Sequence, residues 1–60
     1  MNDPKFEPNQ YVRVNKPGSP EHGRELQIEG VKVGVTEWRY SLWGSDTIFK
    51  ESELQAMESK

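Results

Sequence analysis

The chain has 60 residues and a formal net charge of −2, from eight Lys and Arg against ten Asp and Glu, and it contains no cysteine. This length allows one domain that buries only about 60% of its unfolded surface, and without cysteine neither disulfides nor cysteine-based zinc sites can brace the core. The charge balance counts against a broadly basic nucleic-acid-binding domain.

Residues 1–9 hold two prolines and a single aromatic residue, Phe6, and are predicted to form an extended N-terminal segment that Phe6 fastens to the domain. They contain no apolar stretch typical of a signal peptide. No run in the chain approaches the roughly 18 apolar residues that span a bilayer. We therefore expect a cytoplasmic protein with no membrane association.

The first strand is predicted at residues 10–14, where apolar and polar side chains alternate and place both valines on one face. A long loop follows at residues 15–23. Within it, Pro17 and Gly18 suit the two central positions of a type II turn, because proline presets φ and glycine accepts a positive φ.

The next strand is long and predicted to bend. Its apolar residues occupy even positions at Leu26 and Ile28 and then odd positions from Val31 to Val35. Gly30 lies at this change of phase. A bulge or a sharp bend is therefore predicted at Gly30.

Two shorter strands complete the pattern, at residues 38–42 after a hairpin near 34–36 and at residues 47–50 after a tight turn. Which of Ile48 and Phe49 points inward is left open. The predicted core consists of the inward-facing residues Val12, Val14, Leu26, Ile28, Val31, Val33, Val35, Trp38, Tyr40, Leu42 and Leu54.

Residues 51–54 are predicted to form one helical turn, with Ser52 and Gln55 at the spacing of a capping box. The tail from Gln55 is interpreted either as a fifth strand or as a frayed end. Every connection except the first is short, as expected for an antiparallel meander.

This order of elements resembles small SH3-like barrels with the layout of KOW and Tudor-type modules. The features that carry the resemblance are a V-x-V strand, a Pro/Gly loop ending in His-Gly, a bent strand, a W-x-Y-x-L strand and an E-S-E-L turn. Residues 38–42 and 49–54 are also similar to the closing half of short, uncharacterised bacterial and prophage proteins. The resemblance implies an all-β, SH3-like barrel of about five antiparallel strands over residues 10–55, with one short helical turn near the C-terminus and a flexible tail at 56–60. It implies no particular ligand, because this fold hosts peptide, nucleic-acid and subunit contacts.

The sequence contains no recognisable catalytic or metal-binding pattern. His22 is the only histidine, so no metal-ligand set or nucleophile-and-base pair of known spacing can be assembled. Glu51, Glu53 and Glu58 lie in a polar stretch that favours a solvated acidic face over a tuned general acid. We expect no enzyme activity, no metal and no cofactor.

Tyr11 and Trp43 fall outside the core pattern, on an outer face or rim where large aromatic residues often serve recognition. We therefore predict a surface for a protein partner or peptide near the strand ends, consisting of Tyr11, Arg13, Arg39, Trp43 and Phe49. A purely structural interpretation stays open. In it, Tyr11 and Trp43 pack on Phe6, and the arginines pair with acidic neighbours.

Two other hypotheses compete with a protein partner. The first is nucleic-acid binding, with bases stacked on Tyr11 or Trp43 and phosphates held by Arg13, Lys16, Arg24, Arg39 and Lys50. The second is self-association through exposed strand edges, which would bury Trp43 and make the chain a weak homodimer rather than a monomer.

Overall fold

The computed structural model describes residues 3–57, which form a five-stranded antiparallel sheet. The elements are β1 (Tyr11–Val14), β2 (Glu25–Lys32), β3 (Arg39–Leu42), β4 (Ile48–Lys50), a 3-10 turn η1 (Glu51–Glu53) and β5 (Leu54–Ala56). Their order across the sheet is β4-β3-β2-β1-β5, so the last strand pairs with the first. The predicted all-β class, the five antiparallel strands and the short helical turn are confirmed.

The long strand β2 changes register where the sequence predicts it. Ile28 pairs with Leu42, but the next pair joins Gly30 to Ser41, which leaves Glu29 as an extra residue. Such a bulge bends a strand, and beyond it the inward-facing residues change from even-numbered to odd-numbered positions. The predicted bulge is confirmed.

The turn η1 joins the two edges of the sheet and shows how strongly the sheet bends. Lys50 ends β4 and Leu54 begins β5, and the four residue steps between these positions span at most about 14 Å of chain. In a flat sheet the two edges would be about 19 Å apart, from four strand spacings of about 4.8 Å. The sheet must therefore curl, which agrees with a radius of gyration of 10.6 Å.

The core lies on the inner side of this curled sheet. Its buried residues are Phe6, Val12, Val14, Ile28, Tyr40, Leu42, Phe49 and Leu54, with Leu26, Val31 and Trp38 partly buried against them. Within β4, Phe49 is the inward residue opposite Tyr40, and Ile48 is exposed. The choice that the sequence left open is thereby decided.

Val33 and Val35 were predicted to lie in the core, and this is wrong. Val33 is 70% exposed and Val35 is 90% exposed, because β2 ends at Lys32 and the chain leaves the sheet before β3 begins. The connection is tight. A Cβ atom on Gly34 would lie 2.1 Å from the carbonyl oxygen of Glu37, so these residues follow a loop path instead of continuing the strand.

Two predicted local features have different outcomes. The type II turn is confirmed, since Gly18 has φ +90° and the Ser19 N–H donates to the Lys16 carbonyl at 3.0 Å. The capping box predicted for Ser52 and Gln55 is wrong. The Lys50 N–H donates to Glu53 Oε1 at 2.9 Å, so Glu53 caps η1, and Gln55 lies in β5.

Glu51 anchors the N-terminal segment to the core. Its Oε2 atom accepts the Lys5 N–H at 2.8 Å and the Tyr40 hydroxyl at 2.5 Å. The Phe6 ring packs edge-on against Tyr40, with centroids 5.4 Å apart. Glu51 is therefore a structural acceptor and not part of a solvated acidic face. Of the predicted N-terminal segment and flexible tail, residues 1–2 and 58–60 lie outside the described residues, and Ala56 belongs to β5.

Stability at alkaline pH is expected to depend on Tyr40. Burial, and then its hydrogen bond to the Glu51 carboxylate, raises the pKa of Tyr40 to about 12, against about 10 for an unfolded tyrosine. The folded state then holds the proton more tightly, so this contribution is complete below pH ~10 and disappears between pH ~10 and ~12. Urea unfolding at neutral and alkaline pH should show a steeper loss of unfolding free energy in the wild type than in Tyr40→Phe.

The Tyr40→Phe variant should also lose about 1–2 kcal/mol at neutral pH, because Glu51 and the Phe6 N–H each lose a hydrogen-bond partner. Equal slopes for the two proteins above pH ~10 would contradict the prediction. All other titrating groups are common to both proteins, so the comparison isolates Tyr40.

Candidate binding surface

Tyr11 and Trp43 lie in one row on the outer face of the sheet. Tyr11 pairs with Gln27 of β2, and the Trp43 N–H donates to the Gln27 carbonyl at 2.9 Å from the other side. Two strand spacings put Tyr11 and Trp43 about 10 Å apart. Their side chains are 56% and 54% exposed, whereas Phe6, Tyr40 and Phe49 are buried. We call Tyr11, Gln27 and Trp43 the aromatic row.

A tight turn after β3 fixes the position of Trp43. The Ser45 N–H donates to the Leu42 carbonyl at 3.3 Å and closes the turn around Trp43 and Gly44. Gly44 has φ +88°, a left-handed conformation that glycine adopts without steric cost. Trp43 therefore occupies the second position of a hydrogen-bonded turn.

Glu21 fastens this turn to the loop between β1 and β2. Hydrogen bonding from Ser45 and then from Arg24 lowers the pKa of Glu21 below its usual value. The Arg24 guanidinium lies 2.7 Å from Glu21 Oε1. The carboxylate thus links the loop to the turn that carries Trp43.

Gln27, the central residue of the aromatic row, is also held in place. The Gln27 side-chain amide donates to the Asn9 carbonyl at 2.9 Å, and Asn9 has a left-handed φ of 73°, which asparagine tolerates better than most residues. Within residues 3–57 the Tyr11 hydroxyl and the Trp43 indole N–H have no hydrogen-bond partner, so both polar tips are available to a ligand. Phe6 packs on Tyr40 inside the core.

Phe49 does not belong to the predicted binding surface. It is completely buried, because it faces the core opposite Tyr40, and the Lys16 Nζ atom lies 5.7 Å from its ring centroid. Its ring is therefore not available to a partner.

The cations of the predicted surfaces separate into two groups, those paired with a carboxylate and those beside other cations. Arg13 lies opposite Glu25 and forms an ion pair with it at 2.5 Å, and Lys16 lies 3.5 Å from Glu53. Arg39 lies elsewhere, in the outer row of β3, where Lys32 and Lys50 are its cross-strand neighbours. The structure therefore places Arg13 beside Tyr11 on β1 and Arg39 on the other part of the bent sheet.

Sequence reasoning missed Gln27 and Lys32. Gln27 lies between Tyr11 and Trp43 because of the strand register, and the register cannot be read from the sequence. Lys32 could have been found, because the change of phase at Gly30 puts it on the outer face with the residues that follow the bulge.

His22 serves the local structure of its loop. Its Nδ1 atom accepts the Lys16 N–H at 3.0 Å and so ties the two ends of the loop together. Among residues 3–57 no three His, Asp or Glu side chains are grouped so that they could hold a metal ion. No helix in that part of the chain has the length and apolar character to cross a membrane.

Known proteins give no guide to the ligand. Comparison of the chain with models of protein families, with curated proteins and with solved structures found no match in any of the three. The ligand must therefore be inferred from the side chains on the outer face of the sheet.

Proposed function

We propose that the chain is a non-enzymatic binding module that binds a segment of a partner protein across the aromatic row. The observation that carries this proposal is the pair Tyr11 and Trp43, both more than half exposed in one row. Tyrosine and tryptophan dominate binding hot spots because they bury much apolar area and retain a polar tip for hydrogen bonding.

The hydrogen bonds that hold the row in place support this proposal. Trp43 is held by its turn, and Gln27 is held by Asn9, so neither needs to be ordered when a ligand arrives. A preorganised surface loses less conformational entropy on binding. The free hydroxyl of Tyr11 and the free indole N–H of Trp43 suit the carbonyl groups of an extended peptide backbone.

The architecture that we propose for this module is an SH3-like barrel in the cytoplasm. The bulge in β2 and the short turn η1 between the edge strands support closure of the sheet, because both bring β4 towards β5. A chain without cysteine needs no oxidising compartment, which supports the cytoplasmic location.

A protein partner is favoured over nucleic acid by the ion pairs. Of the five cations in the nucleic-acid hypothesis, Arg13, Lys16 and Arg24 each have a carboxylate within 3.5 Å. A phosphate backbone would have to displace these carboxylates. The aromatic row, in contrast, is available without any rearrangement.

The test is selection of peptides from a random library displayed on phage, followed by titration of one enriched synthetic peptide. We expect Tyr11→Ala and Trp43→Ala to weaken binding about tenfold or more, since hot-spot aromatic residues commonly contribute above ~1.4 kcal/mol. Both variants should keep the wild-type circular dichroism spectrum, because both side chains lie outside the core.

Val35→Ala is the matched control, since Val35 is also an exposed apolar residue but lies in the connection between β2 and β3, away from the aromatic row. It should bind the selected peptide as the wild type does. A library that yields no enriched peptide, or a peptide that binds all three variants equally, would overturn the proposal.

A further inference from the structure

Three cations lie side by side on the part of the sheet that the aromatic row does not use. Lys32 of β2 pairs with Arg39 of β3, and Arg39 pairs with Lys50 of β4. All three are exposed on the outer face. With strands about 4.8 Å apart, they set three positive charges within about 10 Å. We call these residues the cationic row.

Folding alone does not explain this arrangement. Like charges directly opposite each other destabilise a sheet. Within residues 3–57 no carboxylate lies within 4.0 Å of a charged atom of the cationic row, whereas Arg13, Lys16 and Arg24 all have such a partner. The carboxylate of Glu37 accepts the Ser52 N–H at 2.8 Å, and its pKa is lowered first by that hydrogen bond and then by the charges of Lys50 and Arg39, so it offsets part of the row's charge from beyond 4.0 Å.

Protection of a sheet edge explains only one member of the row. Lysine on an edge strand discourages pairing with another chain, and Lys50 lies on β4 at the edge. Arg39 and Lys32 lie on β3 and β2, which have neighbours on both sides. Edge protection therefore does not account for two of the three charges.

The surroundings of the cationic row are small and partly apolar. The next outward positions on the same three strands are Gly30, Ser41 and Ile48, in register with one another. They line a shallow cleft of about 480 Å³ that Lys32 bounds at one end. Arg39 lies across Gly34, where a Cβ atom would be 3.1 Å from its Cγ and Nε, so its stem is already packed.

We propose that the cationic row binds an acidic segment of a partner protein, with its carboxylates on Lys32, Arg39 and Lys50 and its aliphatic side chains over Gly30 and Ile48. This inference rests on the proposed function as a protein-binding module and names the chemistry of the partner. Charge complementarity selects the occupant, because within residues 3–57 no carboxylate lies within 4.0 Å of the three cations.

The same cleft disfavours nucleic acid. Glu29 and Asp46 line it beyond the cationic row. A phosphate backbone carries a charge at every nucleotide and would meet these carboxylates, whereas a peptide can present neutral residues there. The cationic row and its cleft also contain no aromatic ring on which a base could stack, and Trp43 and Tyr11 belong to the aromatic row.

The experiment is a nitrogen–proton NMR titration of the full chain with three probes. The first is a synthetic peptide with an aspartate-rich half and an aliphatic half, the second is the same peptide with asparagine for aspartate, and the third is an oligothymidylate. The aspartate peptide should shift the amides of Lys32, Arg39, Ile48 and Lys50. Its affinity should fall several-fold between about 20 mM and about 150 mM salt, because exposed ion pairs are screened.

Two variants that change the net charge equally distinguish binding at the cationic row from a general effect of charge. Arg39→Gln should weaken the aspartate peptide about three- to fivefold, because exposed charge pairs contribute modestly. Arg13→Gln removes one cation from the ion pair with Glu25, at the opposite end of β2 from Lys32, and should leave the affinity unchanged. Equal binding of the aspartate and asparagine peptides, no binding of either, or stronger binding of the oligothymidylate at the same amides would overturn the inference.

The Tyr11→Ala variant distinguishes failure of this inference from failure of the proposed function. If the aspartate peptide binds this variant with unchanged shifts at the cationic row, the inference holds even where the aromatic row binds nothing. If Tyr11→Ala loses peptides selected on the aromatic row but the aspartate peptide never binds, the proposed function stands and the inference fails.

Discussion

Replacing Phe6 with alanine is expected to remove most of the stability of the domain. Phe6 is buried, and its ring packs on Tyr40 in the centre of the core. Truncation of a buried phenylalanine costs about 3–5 kcal/mol, from lost apolar burial and the cavity left behind. A domain of this size has a total stability of about 3–9 kcal/mol. Thermal and urea unfolding followed by circular dichroism should show a large loss, with a substantial unfolded population at 25 °C.

Tyr11→Ala is the control for this prediction, because it removes an aromatic ring of similar size from an exposed position. It should change the unfolding free energy by about 1 kcal/mol or less. Similar losses for the two variants would mean that Phe6 does not contribute to the core as described. The same reasoning predicts that a chain shortened to residues 10–60 will be far less stable than the full chain.

Phe49→Ala is expected to destabilise the domain by a comparable amount, about 3–5 kcal/mol. Phe49 is completely buried opposite Tyr40, so its removal leaves a cavity between β3 and β4. The urea midpoint should fall sharply, and the near-ultraviolet signal of the packed aromatic residues should weaken.

The neighbouring residue provides the control. Ile48→Ala changes an exposed side chain on the same short strand and should cost about 1 kcal/mol or less. If Ile48→Ala were the more damaging variant, the orientation of β4 would be reversed. Phe49 would then return to the candidate binding surface.

The elements that were predictable are those with a repeating pattern. Alternation located β1 and β3, and the change from Ile28 to Val31 located the bulge in β2, because side chains in a strand alternate strictly between two faces. The order of these elements was enough to predict five antiparallel strands. It was not enough to establish closure of the sheet into a barrel.

The errors arise where the pattern is too short or does not end visibly. Val33 and Val35 continue the alternation of β2, yet the chain turns at Gly34, where the absence of a side chain lets the Glu37 carbonyl approach closely. In β4, a strand of three residues, either Ile48 or Phe49 satisfies a period of two. Phe6 was predicted to fasten the N-terminal segment, and it does lie in the core, but its partner Tyr40 is distant in sequence and was not predicted.

The candidate site was predictable only in part. Outward phase correctly singled out Tyr11 and the residue after β3, Trp43, as exposed aromatic residues. Which cations are neutralised could not be predicted, because Arg13 meets Glu25 and Arg39 meets Lys50 only through strand register. Register depends on the turns and the core, so it emerges from the whole fold.

The pairing of β5 with β1 has a consequence for folding kinetics. It joins Val12 to Ala56 and Val14 to Leu54, residues from opposite ends of the chain. The chain must lose the entropy of closing a loop of most of its length before these contacts stabilise it. The meander β1 to β4 requires only shorter loops, so the order of events should run from the meander to the final strand. Because only η1 separates β4 from β5, most of the entropy of bringing the two chain ends together is lost while the meander forms, and the final strand then needs no further long loop.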